Sequence, residues 1–379
     1  MTLDEFIADN DSKPQNQRLS NVEIAERYGT SETSVRRHRR KLNHTTATDT
    51  FFKDLPNEVI TSRGASIRTE DGSWQKVSWN PLKLAIMEAQ TYDDLERAIS
   101  SYSEEVFREP TSERIEIFGG ADEQVGKALE SGGGSADTIA RVMSSAHAFA
   151  LRVQKTKPST IVMTDLGDGI ENMWNVPQHQ LSTNDLSLMD QVRTFRRLQI
   201  EVLKILAPLA PNVIYVSVPS NHGQVRTGPK AAVGGVDNDF GIEVSFQLED
   251  VCSNAESPAL KNIQFVRPEK FMETAVLEVG GVKLAFNHGH RTSGGINGHD
   301  KWWANQDHGR MPGWDADILV VAHYHTFKVE QSGDGRWIIC VSASEPSSDY
   351  FALAQGKRSK RGVTCFAIEG GAWTDLEIL

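Results

Sequence analysis

The chain has 379 residues, which is long enough for two or three domains and a sizeable buried core. Its formal net charge is −11, and the excess of acid lies beyond the first 48 residues, which carry eight Lys and Arg against seven Asp and Glu. No apolar run has the length of a membrane span and no signal-peptide pattern is present, so we expect a cytoplasmic protein. Three cysteines lack metal-ligand spacing and are expected to be reduced core residues: Cys252, Cys340 and Cys365.

The first segment with a clear pattern, residues 20–42, contains signals for two short helices joined by a tight turn. Ser20 followed by Glu23 is a capping box, and Gly29 suits the left-handed residue that ends such a helix. The segment resembles the helix-turn-helix family, which implies a DNA-binding head over 1–45. Its second helix carries five basic residues that could contact phosphates: Arg36, Arg37, Arg39, Arg40 and Lys41. The alternative is an amphipathic helical hairpin with a solvated basic face.

Between the head and the body, the sequence indicates a polar linker and a small connector. Asp71-Gly72 is a turn signal that predicts a β-hairpin, and a helix is expected at about 92–106. We therefore expect three domains: a helix-turn-helix domain at 1–45, a linker and connector at 46–112, and a larger body at 113–379.

The body alternates short apolar runs rich in β-branched residues with longer amphipathic stretches, which is typical of an α/β fold with a parallel sheet. Helices are predicted at about 137–155, 188–206 and 240–251. A β-hairpin is predicted at 274–286, where Gly280-Gly281 provides the turn between its two strands.

Four of the apolar runs are followed closely by residues that can bind metal ions. These islands are Gly167-Asp168, Ser220-Asn221-His222, Asn287-His288-Gly289-His290 and Ala322-His323-Tyr324-His325. Because the carboxyl ends of parallel strands meet at one edge of a sheet, we expect the islands to converge. Carboxylate, amide and imidazole ligands suit a borderline divalent cation. The alternative is four unrelated polar clusters in the core or in loops.

The order of the islands resembles the calcineurin-like metallophosphoesterase superfamily, whose motifs run Asp-x-His, Gly-Asp, Gly-Asn-His-Asp/Glu, His and Gly-His-x-His. The first motif falls at Asp122-Glu123-Gln124, after a short strand at 114–118. The resemblance covers about 115–350 and implies a four-layer αββα sandwich that forms the catalytic domain.

For the site, the resemblance implies two divalent ions that share one carboxylate. The ligands of the first ion would be Asp122, Gln124, Asp168 and His325. The ligands of the second would be Asp168, Asn221, His288 and His323. His222 would be the catalytic residue that stabilises or protonates the leaving oxygen, and His290 and Arg291 are candidate contacts to the substrate phosphate. Two such ions lower the pKa of a bound water and neutralise the charge that develops on the phosphoryl group.

Three positions depart from the family pattern, and one of them, Ala322 in place of a glycine, is a small change. Gln124 offers a neutral oxygen in place of an imidazole, so the first ion should be held less tightly and should be a harder ion. Mn²⁺ is therefore the expected ion, with Mg²⁺, Zn²⁺ or Fe²⁺ as alternatives. Gly223 stands where the family has an acid that orients the catalytic histidine, which leaves His222 without an assigned partner.

The resemblance and the basic head together predict a metal-dependent nuclease that acts on DNA. The chain is similar in this respect to the repair-exonuclease branch of the superfamily and to phage-encoded members with Gln in the first motif. A second hypothesis is a DNA-binding regulatory or packaging protein whose phosphoesterase core is weak or inert, which the changes at Gln124 and Gly223 would favour. A third is a phosphomonoesterase or protein phosphatase, which leaves the basic head without a purpose. DNA is the expected partner, and a homodimer is possible.

Overall fold

A computed structural model of the chain contains two compact units, Met1–Pro81 and Leu82–Leu379. The residues that it describes are 2–13, 18–36, 38, 65–68, 74–77, 110, 112–129, 133–174, 184–228, 231–333, 335–345 and 359–379. The linker, the helix expected at 92–106 and four of the basic residues of the head lie outside this set, so the division into three domains stays a prediction. No helix in the described ranges is long and apolar enough to cross a membrane.

The first unit begins with two capped helices, α1 (Leu3–Ser12) and α2 (Asn21–Tyr28). The predicted capping box of α2 is confirmed, since the Ser20 hydroxyl accepts from the Glu23 amide and the Glu23 carboxylate accepts from the Ser20 amide. Gly29 ends α2 with a φ of 60°, and residues 32–36 are again helical. A small apolar core holds these segments together: Phe6, Ile7, Ile24, Ala25 and Val35. Burial of such side chains stabilises helices that are too short to persist alone.

The same unit contains strands β1 (Ala65–Arg68) and β2 (Trp74–Val77). They pair in antiparallel fashion with Ala65 opposite Val77, as expected for the two strands of the predicted hairpin. The turn itself, at Asp71 and Gly72, lies outside the described residues.

The second unit alternates strands and helices, and the predicted α/β class is confirmed. In chain order its elements are β3 (Ile115–Gly120), α3 (Ser135–Thr156), β4 (Thr160–Asp165), α4 (Leu188–Leu206), β5 (Asn212–Ser217), α5 (Phe240–Asn254), α6 (Pro258–Lys261), β6 (Ile263–Val266), β7 (Ala275–Val279), β8 (Val282–Asn287), α7 (His299–Gly309), β9 (Ile318–Val321), β10 (Lys328–Gln331), β11 (Trp337–Cys340), β12 (Thr364–Glu369) and β13 (Ala372–Ile378). Short 3₁₀ turns occur at Ala207–Leu209 and Gly295–Gly298.

These strands form two mixed sheets. The six-stranded sheet has the order β13-β12-β3-β4-β5-β6, in which β3 to β6 are parallel. The five-stranded sheet has the order β10-β11-β9-β8-β7, in which β11, β9 and β8 are parallel. The predicted hairpin is confirmed, since β7 and β8 pair in antiparallel fashion around Gly280-Gly281.

Three apolar clusters hold the second unit together. One lies between the six-stranded sheet and its helices, with Phe149 of α3 and Leu198 of α4 fully buried. The second lies between the two sheets and includes Val162 of β4 and Phe286 of β8. The third covers the outer face of the five-stranded sheet with Trp303 of α7. Both faces of each sheet therefore carry apolar residues. Each buried side chain of this size contributes about 1.5–3 kcal/mol to stability.

Candidate metal centre

The islands lie at the carboxyl ends of strands from both sheets. Asp122 and Gln124 follow β3, Asp168 follows β4, and His222 follows β5 in the six-stranded sheet, while His288 follows β8 in the other. The parallel strands end level with one another, as the pairing of the last residues of β3 and β4 shows. Residues of both sheets share one buried apolar cluster, and side chains from the carboxyl ends of both sheets come together.

The loops that carry these side chains have an unusual backbone. Five predicted ligands have a positive φ: Asp122 (50°), Gln124 (42°), Asp168 (55°), His323 (71°) and His325 (52°). Each such conformation costs on the order of 1–3 kcal/mol and persists only where the surrounding structure enforces it. Strain of this kind is concentrated at functional sites, where it aims side chains in a direction that a regular strand or helix does not allow.

Backbone hydrogen bonds tie the loops to one another. The Asp122 amide donates to the Gly167 carbonyl at 3.0 Å, and the Gln124 amide donates to the Asp168 carbonyl at 2.8 Å. The Glu345 amide donates to the Asp122 carbonyl at 2.9 Å. The loops after β3, β4 and β11 are therefore fixed relative to one another before any ligand binds.

Gly167 shows why the second motif requires glycine. Its φ is 91°, and a Cβ there would lie 2.5 Å from the Ser220 Cβ and 3.1 Å from the His288 Nδ1. The close approach allows the Ser220 hydroxyl to accept from the Asp168 amide at 2.9 Å. The residue before Asp168 thus has to lack a side chain for the loops after β4, β5 and β8 to meet.

One group of possible ligand atoms is close enough together to hold a divalent ion. The His288 Nε2 lies 3.1 Å from the Asp168 Oδ2 and 3.0 Å from the Asn221 Oδ1. Asp168, His288 and His323 offer one atom each within 4.8 Å of one another. The Asp168 Oδ2 and the His323 Nδ1 are buried and lack a hydrogen-bond partner among the described residues. Orphaned donor atoms of this kind fit coordination of a metal ion.

The hydrogen bond on the other ring nitrogen determines which atom of His288 faces the cluster. The His288 Nδ1 lies 2.8 Å from the Leu166 carbonyl oxygen, which can only accept. Nδ1 therefore carries a proton, and Nε2, once it is deprotonated, directs its lone pair toward Asp168 and Asn221. A second hydrogen bond of this type is the usual way in which proteins orient a histidine ligand.

Burial and neighbouring charges shift the pKa values of the residues in this group. Burial alone would raise the pKa of Asp168, but the neighbouring His288 and His222 outweigh it and hold that pKa well below its usual range. Burial lowers the pKa of His288, yet the nearby Asp168 carboxylate raises it to about 9. Burial and the charge on His288 lower the pKa of His323 to about 4. In the metal-free protein a proton on His288 compensates Asp168, and a bound ion must displace it.

The group predicted for the first ion is arranged differently. The Asp122 Oδ1 lies 3.2 Å from the His325 Nε2, and the Asp122 Oδ2 accepts from the His323 amide at 3.1 Å. The Gln124 Oε1, the predicted third ligand atom, accepts from the Lys127 ammonium at 2.7 Å. Asp122 and His325 are therefore placed for an ion, whereas the Gln124 oxygen is already engaged by a cation.

Glu345 is a buried member of the site that the motifs did not reveal. Its carboxylate lies 3.0 Å from the His325 Nδ1, 3.2 Å from the Lys127 Nζ and 2.8 Å from the Arg361 Nη1. Burial would raise the pKa of Glu345, but the His325 hydrogen bond and the charge of Lys127 hold it well below its usual range. The sequence could have indicated Glu345 as a site residue, because it comes soon after β11 and so lies at the same edge of the sheet.

Glu171 provides the partner that His222 lacked in the sequence. The His222 Nδ1 lies 2.8 Å from the Glu171 carbonyl oxygen and 3.6 Å from its carboxylate. Burial raises the pKa of Glu171, and the nearby His222 partly offsets this. The other ring nitrogen, Nε2, lies 3.9 Å from the Asp168 Oδ2, so the ring is oriented with this atom toward the cluster.

Asp239 explains why Gly223 has no side chain. A Cβ at Gly223 would collide with the Asp239 carboxylate, which caps α5 and accepts from the Ser220 and Gly241 amides at 3.0 and 2.7 Å. A buried acid from the next element thus occupies the space that a side chain at position 223 would fill. Asp239 supports the loop of His222 and does not contact its ring in the way that Glu171 does.

The remaining predicted site residues lie at the edge of the site or in the head. His290 is partly buried, with its ring centre 5.5 Å from that of His288, and its ring nitrogens have no hydrogen-bond partner among the described residues. Arg291 is half exposed and donates to the Glu273 carboxylate at 2.7 and 3.1 Å. In the head, Arg36 pairs with Glu32, and the other four basic residues lie outside the described part of the chain.

Comparisons with known proteins give only distant similarities. No family model matches the chain, and no curated protein matches it. Among solved structures, wild-type Vps29 of Entamoeba histolytica complexed with zinc is 12% identical, with 70% of this chain and 98% of that chain covered and a TM-score of 0.30. Vacuolar protein sorting 29 of Cryptosporidium parvum is 11% identical, with 70% and 97% covered and a TM-score of 0.31. A predicted phosphoesterase of Streptococcus pneumoniae is 12% identical, with 70% and 90% covered and a TM-score of 0.24.

Proposed function

We propose that the chain is a metal-dependent phosphodiesterase of the calcineurin-like type, with a four-layer sandwich as its body, and that its substrate is DNA. The observation that carries the proposal is the group formed by Asp168, Asn221, His288 and His323. Its members come from four strand ends in two sheets, and the ligand atoms of Asp168, His288 and His323 meet in a cluster with orphaned donors. The motif order that led to the resemblance supports the same assignment.

A divalent cation held by this group supplies Lewis-acid activation of water and neutralises charge on the phosphoryl oxygens. The residues of the chain do the rest. His222 is fixed through Nδ1 by Glu171, which leaves Nε2 able to give a proton to the leaving oxygen. The His222 amide also donates to the Asp168 Oδ1 at 2.8 Å, so the acid and the metal ligand keep a constant separation.

Several cations near the cluster suit an anionic substrate. Lys127 and Arg361 flank Glu345, and Arg226 donates to the Asn221 carbonyl oxygen at 3.3 Å. The head adds the basic residues of its second helix, which we propose dock on the phosphate backbone of DNA. A polyanion with many phosphates, rather than a small monoester, uses both sets of charges.

Hydrolysis assays test the proposal. Purified protein is incubated with end-labelled linear and circular DNA, with and without Mn²⁺, next to p-nitrophenyl phosphate and its bis ester. We expect Mn²⁺-dependent cleavage of DNA and of the bis ester and little action on the monoester. Activity confined to the monoester would contradict the proposal and favour a phosphomonoesterase.

A second candidate function is a DNA-binding regulatory or packaging protein with an inert core. The hydrogen bond between Lys127 and Gln124 favours it, because an engaged ligand oxygen weakens one half of the centre. This candidate requires tight DNA binding in a gel-shift measurement together with no cleavage of DNA at saturating Mn²⁺.

A further inference from the structure

A lysine reaches the part of the centre where the first metal ion was expected. The Lys127 Nζ lies 2.7 Å from the Gln124 Oε1 and 3.2 Å from the Glu345 Oε2, so the ammonium bridges the two side chains. Lys127 follows Gln124 by three residues, and the Lys127 amide donates to the Gln124 carbonyl oxygen at 3.0 Å. This local turn brings the ammonium back onto the amide of Gln124.

The charges on this side of the centre are already partly compensated. Asp122 and Glu345 are fully buried carboxylates, and Glu345 pairs with Lys127 and Arg361, whose side chains are each 16% exposed. His325 joins the two acids, with one ring nitrogen 3.2 Å from the Asp122 Oδ1 and the other 3.0 Å from the Glu345 Oε1. A divalent ion added here would meet carboxylates whose charge Lys127 and Arg361 already offset in part.

The position of the Lys127 ammonium is incompatible with a metal ion bound to Gln124. An ion bound to the Gln124 Oε1 at about 2.2 Å would lie within about 5 Å of the Lys127 Nζ, which repels it. In the other group, the Arg226 guanidinium lies against the Asn221 carbonyl oxygen, and no lysine pairs with Asp168 in the described part of the chain. In the described part of the chain, the ion pairs of Asp168 are made with the imidazoles of His222 and His288 only.

We propose that the centre binds one divalent cation tightly, at Asp168, Asn221, His288 and His323, and that the Lys127 ammonium takes the place of the second. The fixed positive charge excludes an ion from Asp122, Gln124 and His325 and is available to a phosphoryl oxygen of the substrate. This inference rests on the proposed function, and it replaces the expectation of two ions with one ion and one lysine.

Metal stoichiometry tests the inference without reference to activity. Full-length protein is titrated with Mn²⁺, and binding is followed by calorimetry and by electron paramagnetic resonance, which distinguishes an isolated Mn²⁺ from a spin-coupled pair. The variant is Lys127→Met, which keeps the length of the side chain and removes the charge. The matched control is Lys283→Met, since Lys283 pairs with Asp315 near the start of β8, at the end of the strand opposite to His288. Lys127→Arg keeps the positive charge and serves as the second variant.

We expect one isolated Mn²⁺ per chain in the wild type, in Lys283→Met and in Lys127→Arg. In Lys127→Met a second Mn²⁺ should bind at least tenfold more tightly than in the wild type, with the spectrum of a coupled pair. Two coupled ions in the wild type would overturn the inference whether or not the variant folds, and so would a single ion in a folded Lys127→Met. These results leave the proposed phosphodiesterase intact, whereas a wild type that binds no Mn²⁺ would remove the proposed function itself.

Discussion

Replacement of His222 should separate the chemistry from metal binding. In His222→Ala the backbone amide that donates to the Asp168 Oδ1 remains, so we expect the metal content to be unchanged. Proton transfer by a positioned side chain contributes about 10²–10⁴-fold to a rate. The His222 side chain is 15% exposed, so water can enter the space that the ring leaves. We therefore expect a loss near the lower limit, about 100-fold, on a substrate with a poor leaving group.

The leaving group provides the diagnostic comparison. When a dinucleotide is cleaved, the leaving group is the alkoxide of a nucleoside, which needs the proton. Nitrophenolate is a stable anion and needs the proton far less. The loss in His222→Ala should therefore be large for the dinucleotide and small for bis-p-nitrophenyl phosphate. Glu171→Gln keeps the carbonyl hydrogen bond at 2.8 Å and removes a charge 3.6 Å from the ring. We expect the rate to fall about tenfold in Glu171→Gln. This is less than the largest effect of a unit charge at that distance, which is about 4 kcal/mol.

The assay measures kcat and KM for both substrates together with bound metal in wild type, His222→Ala and Glu171→Gln. An equal loss of rate on the two substrates would refute the role of His222 as a proton donor. A loss of metal in His222→Ala would show instead that the ring is a ligand.

Three further outcomes follow from the structure. Asp168→Ala should lose bound Mn²⁺ and hydrolysis together, because it removes the carboxylate nearest to His288; retained metal in elemental analysis would contradict this. Burial raises the pKa of Asp239 to about 7, so the stability that its protonated form contributes is complete below about pH 4 and is lost as pH rises through 7. Asp239→Asn should therefore flatten the fall in unfolding free energy between pH 4 and 7, which is at most about 4 kcal/mol in the wild type by urea titration. Deletion of residues 1–45 should leave hydrolysis of the bis ester unchanged and make DNA binding weaker, with a salt dependence shallower by close to one logarithmic unit for each phosphate that the head would otherwise neutralise.

Local patterns predicted the elements of the body well because they depend on neighbouring residues. The helix expected at 188–206 is α4 with the same limits, and the turn at Gly280-Gly281 joins β7 and β8 as expected. Convergence of the islands could also be predicted, since parallel strands in one sheet have a common carboxyl edge. Asp168, His288 and His323 do lie together, although they come from two different sheets.

The partners of the ligands could not be predicted, because they depend on the packing of distant loops. Glu345 follows His325 by twenty residues and reaches it only because β11 lies beside β9. Glu171 approaches His222 across the loop after β4, where no strand or helix period applies. The interaction of Lys127 with Gln124 is close in sequence, but its meaning for the centre depends on Glu345.

Anomalous diffraction from a crystal of the wild-type protein soaked in Mn²⁺ tests the metal centre most directly, and the proposed activity depends on that centre. The account predicts a strong peak in contact with the Asp168 Oδ2, the Asn221 Oδ1, the His288 Nε2 and the His323 Nδ1. A peak elsewhere, or none among these atoms at a concentration of Mn²⁺ that saturates binding in solution, would contradict it.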